Sequence, residues 1–496
     1  MNDQTLRRFQ EVSALLNSSL DHTDVRRRAI EAATVVMDAE AGSLLLLDET
    51  TGELYFDVAH GEKGHAVREV RLRFGEGIAG DVARTGEPVI INDVQHDPRF
   101  FRQADEASGF TTRNMVCVPV KAHGRFLGVL QAINRKSGEA FTTADLDNFI
   151  ALGHQVGIAI ENANLYQEIQ LLFEGFISAS VQAIESRDPS TSGHSQRVAA
   201  LTCRLAEAVT RTESGPYARI RFGPAQLKEI RYAAVLHDFG KVGVREHILV
   251  KAKKLHPGQL DLVKARFDFI KRTLETESLR EKLTLYETAA GEDLSLRLAQ
   301  IDQRLAQTLR DTDSMFAALL TFNQPAHDDP TSRQRLAQIS AQQYRSFDGP
   351  RPYLTEEEVQ SLSGSGGSLT KEERGEIERH VTHTFEFLSK IPWMRSLKYV
   401  PEIAWCHHER LDGSGYPRGL TKDSIPIQAR MMAICDIFDA LTASDRPYKS
   451  AISLTQALQQ LDALAQGGKI DAPLLEIFVR EHVYEATHVH TTKKVA

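Results

Sequence analysis

The sequence predicts a multidomain chain: an N-terminal α+β domain with an antiparallel sheet, a long connecting helix, and an all-helical domain. Three observations carry this expectation. Over residues 1–165 the apolar pattern alternates between helical steps and strand-like runs bounded by turn residues, in the order helix, hairpin, helix, hairpin, helix. From about 155 to 185 the helical step continues without a break. Beyond 185, short segments of mostly helical pattern carry clustered histidines and carboxylates.

The elements follow in order. "TLRRFQEVSALLNSSL" places Leu6, Phe9, Val12, Leu15 and Leu16 on one helical face, within a helical reading of residues 5–38. "AGSLLLLDETTGELYFDVAHG" reads as two strands joined by the turn residues Asp48 to Gly52. "VREVRLRFGEGIAGDVARTGEPVIIND" reads as strand, loop, short helix, strand, and "RNMVCVPVKAHGRFLGVLQAINRK" as a hairpin turning at "AHG". "FTTADLDNFIALGHQVGIAIENANLYQEI" is a long helix with a threonine cap. Its extension carries Ile158, Leu165, Ile169, Leu172 and Phe176 at three-, four- and seven-residue steps. Such a seam suits a two-stranded coiled coil and predicts a homodimer.

With 496 residues the chain has room for two or three domains, and a net charge of −8 argues against a nucleic-acid platform. The four cysteines form no CxxC pair, so neither a disulfide scaffold nor a zinc knuckle is indicated. No signal-peptide pattern opens the sequence and no run of about 18 apolar residues occurs, so a cytoplasmic protein without a membrane span is expected. "GEGIAG" fits GxGxxG, with Asp93 at the end of a later strand. However, the preceding "REVRLRF" alternates charged and apolar residues, whereas a dinucleotide-binding first strand is buried on both faces. A glycine-rich turn before a short helix is the better reading.

Together, "GSLLLLDETTGELYFDVAHG", "GEGIAGDVARTGEPVIINDV", "NMVCVPV", "GVLQAINRK" and "FTTADLDNFIALGHQVGIAIENA" resemble a GAF domain over residues ~20 to 165. The resemblance implies a sensory module that takes a small molecule or only dimerises. Asn134, Phe141 and Asp145 fit the pattern of cyclic-nucleotide-binding members, while Arg135 and Leu146 depart from it, so the expected GAF ligand is unnamed.

The C-terminal motifs are "RDPSTSGHSQRV" with His194, "LHDFGKVGV" with His237, Asp238 and Lys241, "IERHVTHTFEFL" with His380 and His383, "WCHHERLDGSGYPRGL" with His407 and His408, and "ICDIFDALTASDRPYK" with Asp436. A carboxylate in an apolar segment needs a partner, because burying it bare is costly. A metal ion is the partner that satisfies several imidazoles and carboxylates together. His383 and His256 read as structural.

Residues ~175 to 480 resemble an HD-GYP domain, on "LHDFGKVGV", "HHERLDGSGYPRGL" and "DIFDALTASDRPYK". The resemblance implies a metal-dependent phosphodiesterase that hydrolyses cyclic di-GMP to the linear dinucleotide pGpG, and in many members on to GMP. Carried over by position, it implies the ligands His194, His237, Asp238, His380, His407, His408 and Asp436. Asp238 and Lys241 would act at the reacting phosphate, and Tyr416, Arg446 and Lys449 would hold substrate with Lys241. A binuclear centre of iron or manganese suits imidazole and carboxylate donors, as does zinc. A three-metal form resembles "ETGxH". Here the stretch is "STSGH", with Ser190 in place of the glutamate and Glu185 and Asp188 off the family's spacing, so two ions are expected.

One departure stands out. Leu255 precedes Arg266 by eleven residues, as Leu369 precedes His380, and Arg266 stands where the family has a histidine. Arginine does not bind a cation, so His380 takes the ligand role and residues 256–368 read as an insertion. That insertion carries the amphipathic "LSLRLAQIDQRLAQTL" and the linker "SGSGGS", and falls between ligands, where it can cover or gate the site. The expected function is a GAF-regulated cyclic di-GMP phosphodiesterase. Alternatives are hydrolysis of another cyclic dinucleotide, such as cyclic GMP–AMP, and a catalytically weak signalling scaffold.

Overall fold

The computed structural model describes residues 14–16, 18–60, 70–187, 193–288, 293–325, 329–364, 367–443 and 451–490. The chain divides into two compact units, Met1–Phe176 and Ile177–Ala496.

The first unit opens on α1 (His22–Val36), capped by the Asp21 carboxylate on the Asp24 amide. β1 (Ala39–Asp48) and β2 (Glu53–His60) form a hairpin whose turn is held by Asp48, which accepts from the amides of Thr50 and Thr51. β3 (Arg71–Leu72), α2 (Gly77–Thr85), β4 (Val89–Ile91) and α3 (Arg102–Ser108) follow. β5 (Met115–Ala122) and β6 (Arg125–Arg135) make the second hairpin, and α4 (Thr143–Arg187) closes the series. Thr142 caps α4 through its hydroxyl on the Asp145 amide. All strand pairs are antiparallel, in the order β3-β2-β1-β6-β5-β4.

Alternate strand residues serve opposite faces. Leu44, Leu46, Val116, Val118 and Leu130 pack with residues of α1 and α4. Leu45, Met115, Cys117 and Val129 pack with Ile78, Ala79 and Val82 of α2. Both faces of β1 are covered, which is why "LLLL" is tolerated there. "GEGIAG" leads from the edge strand β3 into α2 within an antiparallel sheet, so it is the glycine-rich turn expected and not part of a parallel βαβ unit. Arg135 pairs with Asp145 at 2.7 Å and Asn134 bonds Glu40 and the Thr111 carbonyl, so these residues tie β6 to its surroundings.

The second unit is mainly helical. α5 (His194–Arg211) packs against α6 (Pro224–Leu236), a 3-10 turn covers Phe239–Gly243, and α7 (Glu246–Leu249) is one turn long. Then come α8 (Pro257–Thr288), α9 (Asp293–Phe322), α10 (Pro330–Ser340), a hairpin of β7 (Gln343–Ser346) and β8 (Gly349–Pro352), and α11 (Glu356–Ser363). The chain continues through α12 (Lys371–Glu378), α13 (His380–Leu388), α14 (Val400–Trp405), α15 (Ile427–Thr442), α16 (Leu454–Gln466) and α17 (Ala472–Arg480). The segment read as an insertion has a core of its own, from Leu255, Val263, Phe267 and Ile270 through Leu319 and Ile339 to Tyr353 and Leu362. The β7–β8 hairpin inside it has no counterpart in the helical reading of that segment. Arg266 belongs to this core's edge: its guanidinium meets Glu358 at 2.6 and 3.0 Å and the Tyr353 carbonyl at 3.0 Å. No helix of the described residues is long and apolar enough to cross a membrane.

Candidate metal centre

Five segments of the second unit bring the predicted residues together. His194 is the first residue of α5, and His237 ends α6 with Asp238 next to it. His380 begins α13, His407 and His408 follow α14, and Asp436 lies in the middle of α15. Close approach of two of these segments depends on Gly240, where a β carbon would collide with the His380 carbonyl oxygen. Thr384 completes the join, accepting from the Gly240 amide at 2.8 Å and donating to the His237 carbonyl at 3.0 Å.

The ligating atoms form two groups. Those of His194, His237 and Asp238 lie within 4.8 Å of one another, and so do those of His380, His407 and His408. Asp238 faces both: its Oδ2 is 3.5 Å from His237 Nε2 and 3.8 Å from His194 Nε2, while Oδ1 is 3.2 Å from His380 Nε2. Asp436 Oδ1 lies 3.1 Å from His194 Nε2 and its Oδ2 lies 3.9 Å from His408 Nδ1.

Burial makes these groups exceptional. His194, His237, His380 and His407 are at most 2% exposed. His237, His380 and His407 each bond a backbone carbonyl three residues back through Nδ1, at 2.6–2.7 Å, which sets the tautomer and leaves Nε2 with its lone pair. All three Nε2 atoms are buried without a hydrogen bond among the described residues; the short approach of His380 to Asp238 lacks the alignment of one. Orphaned buried nitrogens are costly unless something accepts their lone pairs. A divalent cation does so, and the donor set fits one.

Electrostatics agree with a site built for positive charge. Burial opposes the ionised form of Asp238, but Lys241, His237 and His380 hold its carboxyl well below the usual range. Asp436 is likewise depressed, against burial, by His194 and the other histidines. Burial, joined by the neighbouring imidazoles, pushes His407 well below 6.5, and burial also lowers His237 against the pull of Asp238 and Asp436. His194 differs: burial works against protonation, yet Asp436 and Asp439 raise it to about 9.

Around the clusters, Lys241 Nζ lies 2.9 Å from Asp238 Oδ2, and the Tyr416 ring lies 4.8 Å from the His408 ring. Arg446, Lys449, Asp188 and Ser190 lie outside the described residues. His383 stands apart from both clusters, with its ring against Gly243, and His256 stands beside Glu373 at 3.8 Å.

Comparison with known proteins follows the same division. The GAF domain profile matches residues 19–161, and two HD domain profiles match residues 191–315 and 357–474. A cyclic di-GMP phosphodiesterase of Thermotoga maritima is 30% identical over 255 residues, covering 46% of this chain and 68% of that protein. The chain belongs to the HD-GYP family. This HD-GYP chain is also similar to a probable 3′,5′-cyclic phosphodiesterase of Caenorhabditis elegans, 34% identical over 152 residues, or 29% of this chain and 21% of that protein. A dual 3′,5′-cyclic-AMP and -GMP phosphodiesterase of Drosophila melanogaster is 33% identical over 33% of this chain and 12% of its own length. The chain therefore spans about a fifth or less of these two relatives. Among solved structures, the GAF domain of a phosphoenolpyruvate-protein phosphotransferase from Coxiella burnetii is 20% identical over 33% of this chain and 96% of its own, with a TM-score of 0.31.

Sequence reasoning missed three supports of the HD-GYP site. Asp439 bonds His194 Nδ1 at 2.7 Å and is gripped by Arg197. It stands one helical turn from Asp436 in "DIFDAL", and the same apolar-helix argument applied to Asp436 would have found it. Glu409 accepts from the amides of Arg418 and Leu420, both at 2.8 Å, and so closes the loop "GSGYPRGL" on itself. Thr384 gives no pattern signal, because its role is a bond across 147 residues of chain.

Proposed function

We propose that this chain is a metal-dependent phosphodiesterase that hydrolyses cyclic di-GMP to linear pGpG under the control of its GAF domain. The observation that carries the reading is Asp238, whose two oxygens face two separate imidazole groups. A carboxylate can bridge two cations, whereas a ring nitrogen serves one. In this reading His194, His237, Asp238 and Asp436 would hold one cation, and His380, His407 and His408 would hold the other. Oxygen and imidazole donors without thiolate suit iron or manganese. When bound, such a pair supplies Lewis acidity, activating water as a nucleophile and taking up charge on the phosphoryl oxygens.

The chain's own residues do the rest. Lys241, on the turn after Asp238, offers its ammonium to a phosphate oxygen and neutralises the charge that repels a nucleophile. Tyr416, its ring tilted beside that of His408, forms one wall for the substrate at the lip. Arg446 and Lys449, in "DRPYK", are assigned to the remaining phosphate. Similarity to the Thermotoga maritima enzyme supports cyclic di-GMP as the substrate.

The test is metal analysis of anaerobically purified protein, followed by turnover of cyclic di-GMP. Two ions per chain and formation of pGpG are expected. His237→Ala and Asp238→Ala should abolish turnover while the circular dichroism spectrum is unchanged. Near-wild-type activity in either variant, with metal intact, would overturn the site assignment. Faster turnover of cyclic GMP–AMP would replace the substrate.

A further inference from the structure

We propose that Asp439, locked by Arg197, is a positioning residue for His194 and sets the cation affinity of the His194–His237–Asp238 group. The proposal rests on the two-cation reading above and goes beyond it by making the two positions unequal.

The reason lies in where each histidine stands on its helix. His237, His380 and His407 all follow helical backbone, so a carbonyl three residues back (Ala234, Ile377, Ala404) is at hand for Nδ1. His194 is the first residue of its helix and follows Gly193, a left-handed residue. Its Nδ1 meets a side chain instead of a carbonyl, and α15 provides that side chain.

Asp439 Oδ2 lies 2.7 Å from His194 Nδ1. The same carboxylate receives Arg197 Nε on Oδ1 at 2.6 Å and an Arg197 terminal nitrogen on Oδ2 at 3.1 Å, a two-pronged grip that fixes its plane. Asp439 is 3% exposed. Residues three apart share a helix face, so Asp436 stands beside it, with Oδ1 3.1 Å from the other ring nitrogen, Nε2. One turn of α15 therefore addresses both nitrogens of His194. Asp436 faces the ligating side and Asp439 faces the orienting side. An anionic acceptor makes an imidazole a stronger donor than a carbonyl does, and losing such a partner typically lowers metal affinity about 10–100-fold.

The experiment is calorimetric titration of Mn2+ into the full chain after chelator stripping, with thermal unfolding of the metal-free protein alongside. Wild-type protein should take up two ions. Asp439→Asn, which keeps shape and removes charge, should weaken one uptake event about 10–100-fold and leave the other unchanged. Asp439→Glu keeps the charge on a longer arm and should weaken the same event by less; it carries the test alone if Asp439→Asn does not fold. His407→Ala, made in parallel, should weaken the opposite event. Two ions bound as in wild type, or both events weakened equally, would overturn this proposal and leave the two-cation reading standing. No uptake by wild-type protein would remove the two-cation reading and this proposal with it.

Discussion

At Gly240 the backbone of the His-Asp turn lies against α13 so closely that a β carbon would strike the His380 carbonyl and crowd the Thr384 amide. Backbone cannot yield as a flexible side chain can, so Gly240→Ala should destabilise by about 1–3 kcal/mol or more. It should also push His380 away from Asp238. Urea unfolding and metal content measure the two effects, and an unchanged midpoint would show that the turn can shift freely. A second residue-scale expectation comes from His407. Its folded form is held well below 6.5, chiefly by burial. Above 6.5 the ring is neutral in both states and adds no pH dependence. As pH falls below 6.5 the unfolded chain takes a proton that the folded chain refuses, so stability drops. His194, raised to about 9, has the opposite sign: its stabilisation is complete below 6.5 and is lost as pH rises through 9. In chelator, the wild-type protein should therefore lose stability on the acid side more steeply than His407→Asn, which has no basic nitrogen there. Equal acid slopes for the two proteins, by thermal unfolding, would show that His407 is not so depressed.

At the scale of elements, the chain leaves and re-enters the helical bundle of the second unit at one place. The Lys251 carbonyl accepts from Ser368 at 2.7 Å, and its ammonium meets Glu373 at 2.7 and 2.8 Å. Between these points the intervening segment buries its own side chains, from Leu255 to Leu362. A cut inside that core, for instance from 270, would strand Val263 and Phe267. Replacing residues 254–367 with a short Gly/Ser join removes the core whole. The shortened protein should stay folded and hold the same metal content, with its rate or regulation altered. Loss of helical signal or of metal would show that the segment supports the site. The same region shows what a sequence discloses. Repetition of the Leu-to-Arg266 spacing at Leu369 and His380 was readable, because register is linear. The pairing of Arg266 with Glu358 and the β7–β8 hairpin were not, since both depend on which parts of the segment meet. The site divides in the same way. Each predicted ligand within the described residues was legible from its residue type in a motif, whereas Gly240, Thr384 and Asp439 act through approaches across 140 residues or more.

At the scale of the whole molecule, α4 carries more apolar surface than its own domain covers. Val156, Ala159, Ile160 and Ala163 are buried in the first unit's core. Ile158, Leu165, Ile169, Leu172 and Phe176 lie on another face and are exposed, Leu172 by 76%. Their spacing of seven, four, three and four residues is that of a coiled-coil seam. Farther along, Ile177, Val181 and Ile184 are buried, so the seam is confined to residues 158–176. An exposed apolar stripe of this length marks an interaction surface. A second copy of the same helix is its simplest complement, because a and d positions pair with themselves across a two-fold axis. Wild-type protein should therefore run in light scattering as a dimer, at twice 55.3 kDa. Leu165→Glu with Leu172→Glu puts like charges into the seam at exposed positions outside the first unit's core, so each domain should stay folded while the dimer dissociates. A wild-type monomer at micromolar concentration, or a variant that remains dimeric, would mean that this stripe is not where two copies meet.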